Sequence, residues 1–148
     1  MSDTTGDTLA RRVADTMLSK EGTGPSWGLV IEEAREGYAR VRMRLRPDMA
    51  NGHGIAHGGM IFSLADSAFA YACNSRNATT VAAHASISFL SPAKVGETLI
   101  AEAEERARNG RSGVYSVRVT ADDGRIVAEF QGLSREIGGP ICEGLGSA

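Results

Sequence analysis

One stretch constrains this chain more than any other: Asn51 to Arg76, NGHGIAHGGMIFSLADSAFAYACNSR. Four glycines (Gly52, Gly54, Gly58, Gly59) fall within its first nine residues, and the remainder reads as a helix of small and apolar residues. From Met60 to Cys73 only Ser63, Asp66 and Ser67 interrupt the apolar run. Apolar positions cover almost the whole circumference, so the pattern predicts a helix buried on nearly all sides. Such a helix requires a sheet folded around it. Asp66, in its middle, is the anomaly, because an ionised carboxylate buried without a partner is costly. Either Asp66 sits at a helix edge against solvent or an arginine, or it opens onto a cleft and does chemistry.

The flanking sequence supplies the sheet. Thr8 is placed to cap a first helix running to about Lys20, and Gly22, Gly24 and Pro25 break it. Trp27 to Ala34 reads as a strand, with a turn at Glu36-Gly37. Tyr38 to Arg46 alternates cleanly, with Ala39, Val41, Met43 and Leu45 against Arg40, Arg42, Arg44 and Arg46. Those arginines read as the solvated outer face of an antiparallel sheet. After the central helix come strands over Thr79–Leu90, Glu97–Arg106, Val114–Ala121 and Arg125–Ile137, with hairpin signals at Asn109-Gly110 and Asp123-Gly124. Tyr115, Val117 and Val119 fall on the buried face, and His84 reads as structural. The order is helix, strand, strand, buried helix, then four strands joined by hairpins. That is an α+β domain, a mostly antiparallel β-sheet wrapped around one long central helix. A single domain over 1–148 is expected, with flexible ends at 1–7 and 140–148.

Composition narrows the class. A net charge of −2 gives no reason to expect nucleic acid or an anionic membrane as partner. The two cysteines, Cys73 and Cys142, form neither a disulfide framework nor a metal pattern, and Cys73 reads as a buried, unreactive thiol. The polar N-terminus lacks a secretory h-region, and no apolar run is long enough to span a bilayer, so a cytoplasmic protein is expected. His53 and His57 are four apart but set among glycines, which argues against a helical metal pair. No metal is expected. Gly52, Gly54 and Gly58 lack the spacing and the βαβ context of a dinucleotide loop.

The loop and helix together suggest a reaction. Gly58 or Gly59 falls where the first helical turn leaves backbone N–H groups unpaired, and these suit a carbonyl oxygen gaining negative charge. His57 is placed to add a donor or to brace the loop, and Asn51 offers an amide to orient water or a carboxylate. Asp66 supplies a nucleophile or general base. Donor plus carboxylate suits hydrolysis of an activated acyl group.

The run NGHGIAHGGMIFSLADSAFAYACNS, followed by ISFLSPAKVGETL, GRSGVYSV and REIGG, resembles the PaaI-type phenylacetate-degradation thioesterases of the hotdog-fold acyl-CoA thioesterase superfamily. The similarity runs from about Asp15 to Gly144. It implies the hotdog fold, with homodimers pairing into homotetramers. It also implies hydrolysis of aryl-acyl-CoA thioesters such as phenylacetyl-CoA, with coenzyme A arriving as part of the substrate and no other cofactor. Carried over by position, the acid matches Asp66, the oxyanion glycine Gly58, the neighbouring histidine His57 and the loop amide Asn51. Some related hydroxybenzoyl-CoA thioesterases carry a threonine one turn after the acid, where this chain has Ala70; Ser67 is the nearest substitute. Lys94, Arg108 and Arg111, beside strand ends, are candidates for the CoA phosphates. Two other readings compete: a hotdog acyl-CoA hydratase or dehydratase with His57 as base, and a non-catalytic acyl-CoA-binding protein that does not need Asp66.

Overall fold

The computed structural model describes residues 5–146. Helix α1 (Thr5–Lys20) and the short α2 (Thr23–Trp27) precede β1 (Val30–Arg35) and β2 (Tyr38–Arg44). A single 3-10 turn, Pro47–Met49, leads through the glycine-rich loop to α3 (Gly58–Cys73). Strands β3 (Thr80–Phe89), β4 (Thr98–Asn109), β5 (Ser112–Ala121) and β6 (Ile126–Glu136) follow. They form one six-stranded antiparallel sheet in the order β1-β2-β4-β5-β6-β3. Helix α3 packs across the inner face of this sheet.

The core is where the alternation puts it. Ala39, Val41 and Met43 of β2 and Val117 and Val119 of β5 are fully buried, with Tyr115 at 2 % exposure. From α3, Leu64, Ala65, Ala68 and Phe69 meet them. The Phe69 ring lies edge-on to Tyr115, centroids 5.5 Å apart, and 5.8 Å from Phe130. A side chain at Gly132 would meet the Phe69 ring at 2.7 Å, so the strand needs a glycine for the helix to come this close. On the outer face, Arg40 reaches Glu32 and Glu33, and Arg42 reaches Glu32. The arginine stripe is thus a solvated ion-pair network.

Several boundaries and one connection differ from the sequence reading. Thr8 lies inside α1 rather than capping it. Trp27 closes α2, because Gly28 at φ 69° turns the chain and its N–H closes onto Gly24 and Pro25. Strand β1 therefore begins only at Val30. The larger correction concerns β3, which forms no hairpin with β4. It crosses to the far edge and pairs with β6, His84 opposite Leu133 and Phe89 opposite Ala128, with a bulge between Ala82 and His84. Nor is α3 buried all round. Ile61, Leu64, Ala65, Ala68, Phe69, Tyr71 and Ala72 are enclosed, whereas Ser63, Asp66, Ser67 and Ala70 are only partly covered and Gly59 is exposed. Of the ends expected to be flexible, 1–4 and 147–148 lie outside the described residues. Thr5–Asp7 are helical, and the tail is gripped by Asn77, whose side chain accepts from the N–H groups of Ile141 and Cys142.

Candidate active site

The first turn of α3 carries one backbone donor without a partner among the described residues. His57 is the N-cap, with extended backbone, and its Nδ1 accepts a hydrogen bond from Gly59 N–H at 2.8 Å. Its carbonyl accepts from Met60 and Ile61. Among the described residues, the Gly58 N–H has no partner. It stands at the positive end of a sixteen-residue helix, where aligned peptide dipoles favour negative charge. Through Nδ1 the His57 side chain braces the turn. A ring nitrogen that accepts a bond carries no proton, so the neutral imidazole holds its proton on Nε2.

Asn51 shapes the loop that leads into this turn. Its side-chain oxygen accepts from His53 N–H at 2.9 Å and Ile55 N–H at 3.3 Å, while its own N–H donates to the Ile55 carbonyl at 2.7 Å. Its amide nitrogen has no bond among the described residues. The last two loop residues are tied down: Ala56 N–H donates to the Ala93 carbonyl and His57 N–H to that of Met49. Asn51 and Gly58, with Ile55, Ala56, Ile61, Phe89, Leu90, Ser91 and Pro92, line an open groove of about 480 Å³. Its lining is mostly apolar.

Asp66 is half-buried on the incompletely covered side of α3, without hydrogen bond or ion pair among the described residues. Burial pushes its carboxyl above the ordinary aspartate range. No arginine pairs with it among the described residues. Ser67 turns its hydroxyl back onto the Ser63 carbonyl at 2.8 Å, as Ser63 does onto Gly59 at 2.7 Å. Both hydroxyl protons are therefore engaged with the helix. Burial first, and the nearby Asp66 second, push the Cys73 thiol up to about 12, which leaves it inert as a nucleophile.

Eight residues separate Gly58 from Asp66, about 12 Å along the axis at 1.5 Å per residue. An aspartate side chain does not bridge that span to a carbonyl held at Gly58. The proposed cations are also dispersed. Lys94 pairs with Ile55 through an isolated bridge at the groove's rim, and its ammonium is exposed. Arg108 and Arg111 lie at the β4–β5 turn, ten residues of strand beyond Thr98, or about 33 Å at 3.3 Å per residue. Arg108 stands 3.8 Å from Glu105, and Arg111 is exposed. One chain does not gather the three around one phosphate. What the sequence reading missed was the wall: Phe89, Leu90 and Pro92, in a run it took for the end of a strand. An aromatic followed by Ser-Pro at a strand terminus is the available signal.

Comparison with known proteins places these residues in a family context. The Thioesterase superfamily model matches residues 53–128. The acyl-coenzyme A thioesterase PaaI of Escherichia coli is 41% identical over 128 residues, 86% of this chain and 91% of the relative. The solved E. coli PaaI protein of the phenylacetic acid degradation operon superposes with a TM-score of 0.89 at 40% identity, covering 90% of this chain and 97% of that one. A hypothetical thioesterase from Streptococcus pneumoniae, solved with coenzyme A, superposes at 0.73 with 26% identity over 76% of this chain and 90% of its own.

Proposed function

The chain belongs to the thioesterase superfamily, and we propose that it is an acyl-CoA thioesterase acting on aryl-acyl-CoA thioesters in phenylacetate degradation. Phenylacetyl-CoA and its ring-hydroxylated derivatives are the substrates, and free acid and coenzyme A the products. The observation that carries this reading is the unpartnered Gly58 N–H, opening onto an apolar groove at the head of a helix that also holds an unpaired, half-buried carboxylate. The thioester oxygen accepts from Gly58 N–H as it gains charge. Asp66 either takes a proton from the attacking water or attacks the carbonyl itself; the C–S bond breaks and the thiolate of coenzyme A leaves, and in the second case water then hydrolyses the mixed anhydride on Asp66 to the free acid.

The 12 Å span between donor and acid calls for a second subunit. Strand β3 lies at a sheet edge with Val81, Phe89 and Leu90 exposed at 44%, 52% and 60%, and the side of α3 bearing Asp66 is incompletely covered. Pairing of two such edges about a two-fold axis brings two antiparallel α3 helices together. Asp66 of the partner subunit then faces Gly58. A homodimer with two shared sites is thus the working unit, and dimers pair into the tetramer.

The hydratase reading needs His57 as a base. Its Nδ1 is already engaged by Gly59 N–H, and its Nε2 carries the proton, so the ring offers no free lone pair. Release of free thiol from phenylacetyl-CoA, followed with a thiol reagent, tests the proposal. Steady release with phenylacetate as co-product is expected. Double-bond hydration without free thiol would replace it with the hydratase reading, and binding without turnover with the non-catalytic one.

A further inference from the structure

Phe89 is an aromatic side chain on the inner face of a sheet that nevertheless stays half open. It ends β3 opposite Ala128, whose side chain is fully buried, yet Phe89 itself is 52% exposed. Its ring is not idle. A methyl group built on Gly58 would meet Cζ of Phe89 at 3.1 Å, then Cε1 at 3.5 Å and Cε2 at 3.7 Å. The ring tip therefore rests against the bare Cα of the residue whose N–H is free. Around them stand Ile55, Ile61, Leu90 and Pro92.

A carbonyl oxygen bonded to the Gly58 N–H lies about 2.9 Å from that nitrogen, and its carbon about 4 Å away. One substituent of that carbon is then within van der Waals reach of the Phe89 ring. The surrounding wall is apolar, so an apolar part of the ligand is what packs there without stranding polar groups. Aromatic rings meeting offset or edge-to-face gain more than their buried area alone. A flat ring also loses less rotamer freedom on being held than a flexible alkyl chain does.

We propose that Phe89 is a specificity-determining residue: its ring is the wall against which the acyl group packs, and it favours an aromatic acyl group over an alkyl chain of similar size. This rests on the thioesterase reading above. Within its own chain Phe89 is half exposed, and Phe89→Leu keeps the surface apolar.

The test compares kcat/KM for phenylacetyl-CoA and hexanoyl-CoA in wild type, Phe89→Leu and Phe89→Tyr, together with inhibition by free coenzyme A. Phe89→Leu is expected to lower the aryl-to-alkyl ratio by about 2- to 10-fold, with free coenzyme A inhibition unchanged. Phe89→Tyr, which keeps the ring, should hold the ratio within twofold. An unchanged ratio in Phe89→Leu overturns the proposal. So does an equal rise in KM for both substrates with weaker inhibition by free coenzyme A, which would put the ring against the thiol arm. Wild type active on neither substrate would sink the thioesterase reading instead. The wall is then read from binding of the two ketone analogues in which a methylene separates sulfur from carbonyl: the same shift in affinity ratio supports it and no shift overturns it.

Discussion

The two ends of α3 are built on opposite plans. At its C-terminus the polar groups are closely partnered. Asn74 is 3% exposed, donates to the Ala70 and Thr80 carbonyls and accepts from Thr80 N–H. Ser75 accepts from Gly37 N–H, and Arg76 grips Glu105 at 2.7 and 3.1 Å while also reaching Glu36. At the N-terminus the Gly58 N–H has no partner among the described residues, and further along the same helix the Asp66 carboxylate has none among them either. One end holds the fold together. The other leaves interaction capacity unspent, which is what a reacting group requires.

Two carboxylates express the contrast in titration. Burial alone moves Asp66, and it moves it up. At Glu105 burial also pushes up, but hydrogen bonds from Arg76 and Tyr115 outweigh it and hold the group below its usual range. The signs for stability are therefore opposite. A raised acid contributes stability that is present below its unfolded pKa and lost as pH rises through its folded one. A depressed acid contributes stability that is present above its unfolded pKa and lost as pH falls through its folded one. Near neutrality Asp66 therefore works against stability and Glu105 supports it.

The sharpest break of this comparison is Asp66→Asn. Turnover should fall at least about a hundredfold, roughly 2.7 kcal/mol of transition-state stabilisation. Thermal unfolding at pH 7 should show a melting temperature equal to or above wild type, and a lowered one would return Asp66 to a structural role. In wild type, activity should decline with acidification at a pH above the ordinary aspartate range, measured as kcat/KM against pH. Asn74→Ala is the mirror experiment. Leaving buried partners unmatched should cost about 2–4 kcal/mol of stability by denaturant unfolding, with kcat of the folded fraction unchanged.

A smaller effect sharpens the geometry. Asp66→Ala and Asn51→Ala, each inactive alone, should recover about a quarter of the sites when co-expressed and randomly paired. Verified mixed dimers without activity would place Asn51 and Asp66 of one site within one chain. Smallest of all is Arg118→Ala. Its pair with Glu129 at 2.7 Å is exposed on the outer sheet face, so a change within about 0.5 kcal/mol is expected by denaturant titration.

How far the sequence could be read depended on what each residue answers to. Val117 and Tyr115 answer to the pleat of their own strand, and alternation placed them correctly. Asn109-Gly110 answers to a tight turn: Asn109 pairs with Ser112, and Gly110 takes φ 61°. Strand β3 answers to a partner some fifty residues later, and nothing in its own pattern names β6. The open side of α3 was illegible for a related reason, since its small and apolar residues look the same whether covered by their own chain or by another. Gly58 and Asp66 stood out as chemical anomalies in a helix. Phe89 did not, because an aromatic residue at the end of a strand is ordinary until a bare Cα is found beneath it.

The edge formed by β3 has a consequence for handling the protein. Its ten residues, TVAAHASISF, contain no Lys, Arg, Asp, Glu or Pro, the devices by which exposed edges usually discourage unwanted pairing. The opposite edge, β1, carries Glu32 and Glu33 in ion pairs and is backed by α1. The chain on its own therefore displays one guarded edge and one open template. Refolding yield should depend on concentration in two directions. Too little protein leaves the edge bare for long, and too much lets it recruit strands in the wrong register, so aggregation rather than loss of the fold limits recovery.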